Sequence, residues 1–174
     1  MPRAVRPHHE PRKLVAAFGA GNVVYRKVRD AEGEEPMASV VFPNDAGKRA
    51  DFIWKKPKER RDPWVRIHGA GWQTPHGIRV GTTLQEVERL NRKPFTLSGF
   101  GWDLGGRATD WHKGALDQPL PGGCRLHVDF AADPKAPGKL VDKVTGDKPF
   151  RSSDPAMIAV KPRVAAMEVY YPDR

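Results

Sequence analysis

Cys124-Arg125-Leu126-His127-Val128-Asp129-Phe130 alternates apolar and polar side chains without a break. Side chains on a strand point to opposite faces with period two, so this stretch reads as a strand with one buried and one wet face. That pattern belongs to an antiparallel sheet with a solvated side. Parallel strands covered on both faces read as continuous apolar runs instead. The register turns Cys124 inward as a buried, inert thiol and His127 outward to solvent. A similar stripe, Ala165, Met167, Val169 and Tyr171, marks the last strand.

Working outward, further strands are expected at 23–28, 37–42, 50–55, 64–68, 95–100, 107–111 and 164–171. Two helices interrupt them. Thr83-Leu84-Gln85-Glu86 is a capping box, in which the threonine hydroxyl accepts from the glutamate amide and the glutamate reaches back. Leu84, Val87 and Leu90 then recur at helical spacing, and Pro94 marks the end. An earlier helix starts near Pro11, takes its apolar face from Leu14, Val15 and Phe18, and stops at Gly19 or Gly21.

Each half thus runs helix, then four strands. Val15 and Val87, Phe18 and Leu90, and Val23 and Phe95 all stand 72 residues apart. The expected fold is α+β, two tandem units of a helix and a four-stranded antiparallel sheet, packed as one compact protein. Residues 1–10 are a flexible basic start, 11–70 the first unit and 71–174 the second. Residues 131–155, rich in Pro, Gly, Lys and Asp, read as a long exposed loop.

The net charge of +9 invites a nucleic-acid reading, so its distribution matters. Residues 1–62 hold 14 basic and 9 acidic side chains and residues 63–174 hold 16 and 12, so the excess is spread thinly. The one dense run, Lys55-Lys56-Pro57-Lys58-Glu59-Arg60-Arg61, reads as a solvated or edge-protecting turn. A single cysteine excludes an intramolecular disulfide and a cysteine metal cluster. No apolar run approaches the roughly 20 residues of a membrane helix, so no integral membrane segment is expected. No apolar stretch follows the basic residues 1–13, so the chain as written carries no signal peptide.

The most unusual local sequence is Phe100 to His112, with Trp102, Asp103, Asp110, Trp111 and His112 among glycines at 99, 101, 105 and 106. As structure it is a hairpin that turns at Gly105-Gly106 and packs its aromatics across strands. As a site it is a ligand face of Trp72, Phe100, Trp102, Asp103 and Trp111, which Trp64 can join. The structural reading is the preferred one. Asp103 with His112 is one candidate acid–base pair, and Asp103 with Asp110, seven positions apart and brought together across a hairpin, is a candidate carboxylate pair for glycan chemistry. The histidines show no ligand spacing, Gly-x-Ser-x-Gly is absent, and Gly99-Phe100-Gly101 lacks the spacing of a dinucleotide loop. No metal, cofactor or catalytic residue is expected.

Gly77-Ile78-Arg79-Val80-Gly81-Thr82-Thr83-Leu84-Gln85-Glu86-Val87, followed by Leu90 and Lys93-Pro94-Phe95, resembles the repeats of beta-lactamase inhibitory proteins and of small outer-membrane assembly lipoproteins. In those families a glycine ends a strand, a capped helix follows, and a sheet comes next. The segment Gly99-Phe100-Gly101-Trp102-Asp103-Leu104-Gly105-Gly106 is similar to segments of bacterial envelope proteins of like layout. The resemblance implies a non-enzymatic, periplasmic or secreted bacterial protein that binds another protein; the competing location is the cytoplasm. Nucleic-acid or anionic-polymer binding is the weaker alternative, and a glycan-binding or glycan-acting protein a further one.

Overall fold

The computed structural model describes residues 12–29, 33–54 and 64–172. The basic start at 1–10, the helix start near Pro11 and the run at 55–61 lie outside the described residues. The first half begins with helix α1 (Arg12–Phe18). Strands β1 (Val23–Lys27), β2 (Met37–Val41), β3 (Ala50–Ile53) and β4 (Trp64–Ile67) follow. The second half carries α2 (Leu84–Asn91), β5 (Thr96–Ser98), β6 (Ala108–Asp110), β7 (Arg125–Ala131), α3 (Gly138–Val141), β8 (Pro149–Arg151), α4 (Pro155–Ala159) and β9 (Arg163–Tyr170).

The protein is α+β and every strand pairing is antiparallel. The described strands form a six-stranded sheet ordered β1-β2-β3-β4-β9-β7 and a three-stranded sheet ordered β6-β5-β8. This departs from the expected pair of four-stranded sheets. β1 to β4 stay together, but β9 and β7 continue their sheet, while β5 and β6 join β8. Between β6 and β7 the ladder is reduced to one bridge, Arg107 opposite Asp129.

β8 comes from the segment read as a loop, and that reading is corrected. Residues 131–155 contain α3 and β8, and they bury Val144, Phe150 and Ser152. Ser152 exchanges bonds with Phe95: its amide donates to the Phe95 carbonyl (2.8 Å), and its hydroxyl accepts from the Phe95 amide (2.9 Å). The Pro- and Gly-rich composition marks the turns between these short pieces and hides the pieces themselves.

The core lies between one face of the large sheet, the small sheet and α2. Leu84 and Val87 from α2 meet Ile67, Val128 and Met167 from the large sheet and Leu97 and Phe150 from the small one. The capping box at the start of α2 forms as expected. Thr83 Oγ1 accepts from the Glu86 amide (3.2 Å) and the Thr83 amide donates to Glu86 Oε2 (3.1 Å). Bonds from Gly81 and Leu84 amides to the carbonyls of Val164 and Pro162 tie this entry to β9. Asn91, on the last turn, is fully buried. It donates to the carbonyls of Lys93 and Trp111 and accepts from the Leu116 amide.

The stripe expected in the last strand is broken by a bulge. Asp129 pairs with Ala166 but Phe130 with Val164, so Ala165 is the extra residue on β9. The bulge turns Val164 inward beside Met167, and Ala165 lies exposed.

Candidate functional site

Cross-strand partners in an antiparallel ladder share a face. The register therefore places Asp51, Arg66, Glu168 and His127 in one lateral row across β3, β4, β9 and β7. Residues two positions away join the same face: Arg49 and His68 on one side, Trp64 and Tyr170 on the other. The apolar core occupies the opposite face, where α2 and α4 bury Leu84, Val87 and Met157. Across β3, β4, β9 and β7 the large sheet thus presents polar side chains bound to one another, while toward β1 and β2 the same face carries the apolar cluster of Val28, Ala38, Val40 and Ile53.

Its carboxylates are the buried members. Asp51 is 2% exposed and Glu168 3%, depths that require partners. Asp51 accepts a two-pronged bond from Arg49 (3.0 and 2.8 Å) and lies 2.8 Å from His68 Nε2. Glu168 accepts from Arg66 Nε (2.8 Å) and from Arg107 Nη2 (3.1 Å). Arg107 also grips Asp129 with both prongs (2.7 and 2.9 Å). Burial alone would raise the Asp51 carboxyl, but hydrogen bonds and charges from His68 and Arg49 outweigh it and hold its pKa below the ordinary value. The bond to Asp129 leads the causes that hold Arg107 more firmly protonated than usual.

At one margin of this face stand three rings. Trp64 and Tyr170 stack with centroids 5.4 Å apart, and His127 lies 4.3 Å from Tyr170 and 5.6 Å from Trp64. His127 was expected to face solvent. It is half-buried instead, and its enclosed Nδ1 finds no hydrogen-bond partner among the described residues. Burial, reinforced by the Arg107 charge, lowers its pKa from the ordinary 6.5. A cleft of about 180 Å³ opens beside the rings, where β6 and β7 separate beyond the Arg107–Asp129 bridge. Asp110, Asp117, Arg125, His127 and Tyr170 contribute its polar walls.

The five side chains expected as one aromatic face occupy different neighbourhoods. Trp72 packs edge-on against Phe18 (5.9 Å) beside Phe42, with its Nε1 donating to the Lys48 carbonyl (2.6 Å). Trp111 packs on Phe95 (4.9 Å), which stacks on Phe130 in the core. Phe100 is buried. Trp102 is 40% exposed and Asp103 is exposed, both on the loop between β5 and β6. The turn at Gly105-Gly106 forms, closed by a bond from the Arg107 amide to the Leu104 carbonyl (3.3 Å), and a second turn precedes it, in which the Gly105 amide donates to the Trp102 carbonyl (2.8 Å).

His112 pairs with a different acid from the one expected. Its Nδ1 lies 3.4 Å from Asp110 Oδ2 and its Nε2 lies 2.8 Å from Thr96 Oγ1. Asp110 also accepts from the His112 amide (2.7 Å), and the contact of His112 with Thr96 fastens the end of β6 onto β5. Cys124 is buried, as its place in the alternation requires. Among the described residues no helix is long and apolar enough to cross a membrane.

Arg66, Arg107, Glu168 and Tyr170 were not singled out in the sequence. Each is ordinary by itself, and its role follows from partners up to 102 residues away. The available signal was the alternation at 124–130, which puts His127 and Asp129 on one face. Comparison with protein-family models, with curated proteins and with solved structures gives no match to this chain.

Proposed function

We propose that this chain is a non-enzymatic protein-binding module of the bacterial cell envelope, and that the polar face of its large sheet is the binding surface. The observation that carries the reading is the Trp64–His127–Tyr170 cluster at the margin of that face. Tryptophan, tyrosine and arginine dominate the residues that contribute most at protein interfaces. Here rings and guanidiniums stand together on a rigid sheet, held by bonds to buried carboxylates. The envelope placement rests on the resemblance of the 77–95 segment.

The strand order supports a finer reading in which two units meet edge to edge. β1 to β4 form one meander. β5, β6, β7 and β9 follow one another in reverse across the small sheet, the Arg107–Asp129 bridge and the large sheet. On that reading each unit ends in the strand at the junction, β4 in the first and β9 in the second.

The test compares capture from an envelope extract by the wild type and by Trp64→Ala/Tyr170→Ala, with circular dichroism confirming that both are folded. The expected outcome is a specific protein retained by the wild type and reduced about tenfold or more in the variant. Equal recovery by the two proteins would end the sheet-face reading.

A further inference from the structure

A second cleft, of about 380 Å³, lies on another part of the molecule, beside α2 and the start of β9. Its walls bring together Gln73, His76, Arg79, Glu86, Arg89 and Arg163. Arg79 lies in the loop before α2, Arg89 lies on the exposed face of α2, and Arg163 opens β9. Chain positions far apart in sequence therefore converge three guanidiniums on one concavity.

Three features separate this cluster from an ordinary basic surface. First, the arginines of the sheet face, Arg49, Arg66 and Arg107, each hold a carboxylate within 3.1 Å. Among the described residues, Arg79, Arg89 and Arg163 form no ion pair. Second, the cleft holds one carboxylate against three arginines, and Glu86 makes its hydrogen bonds to the amide and the hydroxyl of Thr83 in the capping box, so it offsets only part of the charge of Arg89 and Arg163. Third, the walls are positioned by backbone. Arg163 Nη1 donates to the Gly81 carbonyl (3.1 Å), and the Arg79 amide donates to Thr82 Oγ1 (3.0 Å).

We propose that this cleft binds a phosphate-bearing ligand, with Arg79, Arg89 and Arg163 as its cationic clamp and His76 and Gln73 as neutral donors. A guanidinium offers paired N–H groups that match two oxygens of one phosphoryl group, which a single ammonium does not. Three guanidiniums without an ion pair among the described residues, around one concavity, suit an anion carrying two or more charges. A monovalent carboxylate would leave most of the cationic charge unmatched. The site goes beyond the sheet-face reading and stands on different residues, so either can fail alone.

Pyrophosphate is the probe, titrated calorimetrically at low and moderate salt into the full chain. Saturable binding that weakens with salt is expected. Arg79→Gln and Arg89→Gln, both at exposed positions, should each weaken it about tenfold. Arg151→Gln, an exposed arginine on β8, should leave it unchanged. Glu86→Gln keeps a residue able to complete the capping box but removes the opposing charge, so it should tighten binding several-fold. Sedimentation with phosphatidylglycerol vesicles tells a lipid headgroup from a free phosphate. Vesicle binding lost in the Arg79 and Arg89 variants, alongside pyrophosphate binding, assigns the headgroup, whereas pyrophosphate binding alone assigns a soluble ligand. Absence of pyrophosphate binding, or equal weakening by Arg151→Gln, overturns the proposal.

Discussion

His127 shows how far a single position can be read before its surroundings are known. Alternation puts it on the polar face, and the ladder agrees, opposite Glu168. Alternation cannot say that Trp64 and Tyr170 close over the ring, because those residues arrive from β4 and β9. Burial then favours the neutral imidazole, and the pKa falls below 6.5 in the folded protein. In the unfolded chain the ring takes up its proton near the ordinary value, so on acidification the unfolded state binds protons first. The stability tied to the neutral ring is complete above pH 6.5 and is lost as pH falls from there through the lower folded pKa. The melting temperature of the wild type should therefore drop relative to that of His127→Phe between about pH 8 and about pH 5. A difference between the two proteins that stays constant over that range would show that His127 protonates as freely in the fold as outside it.

Elements were legible in proportion to the local signals they carry. The capping box and the Leu84, Val87, Leu90 spacing identify α2, and both its cap and its buried face are found in place. The seven-residue alternation at 124–130 likewise identifies β7. β8 was not legible. Three residues, Pro149-Phe150-Arg151, are too few to show a period, and a leading proline argues against a strand. Its pairing comes from β5, where Leu97 faces Phe150. The α2 cap can be tested directly. Thr83→Ala removes the acceptor for the Glu86 amide at a helix of only eight residues, and Thr83 also bridges to Arg163 at the start of β9. The expected cost is about 1 kcal/mol, measured by chemical denaturation. Thr83→Ser keeps the hydroxyl and should recover most of it. An alanine variant as stable as the wild type would mean that the β9 contacts alone hold this entry.

At the scale of the molecule, the apolar periodicity separates inside from outside but does not say how the strands share edges. The 72-residue offset is compatible with two separate sheets and with one shared sheet. The choice falls to side chains that no period marks. Arg66–Glu168 spans the junction of β4 and β9, Arg107–Asp129 spans the thin contact of β6 with β7, and Arg107–Glu168 joins the two pairs. Glu168 is thus the common acceptor of both seams, and it is the deepest member of the set, with 4% of its side chain exposed against 18% for Arg66 and 19% for Arg107. Glu168→Gln keeps the shape but leaves two half-buried guanidiniums without their shared charge. Breaking a buried pair from one side costs more than the pair contributes when intact, so about 3 kcal/mol should be lost. Arg66→Met should cost less, since Glu168 keeps Arg107. The double variant Arg66→Met/Glu168→Gln should lose less than the sum of the single changes, because the side chains are in direct contact. Denaturant unfolding followed by tryptophan fluorescence reads all three. Strict additivity, or a Glu168→Gln loss below about 0.5 kcal/mol, would mean that the strands at β4–β9 are held by backbone pairing and the Ile67–Met167 core contact without help from the charges above them.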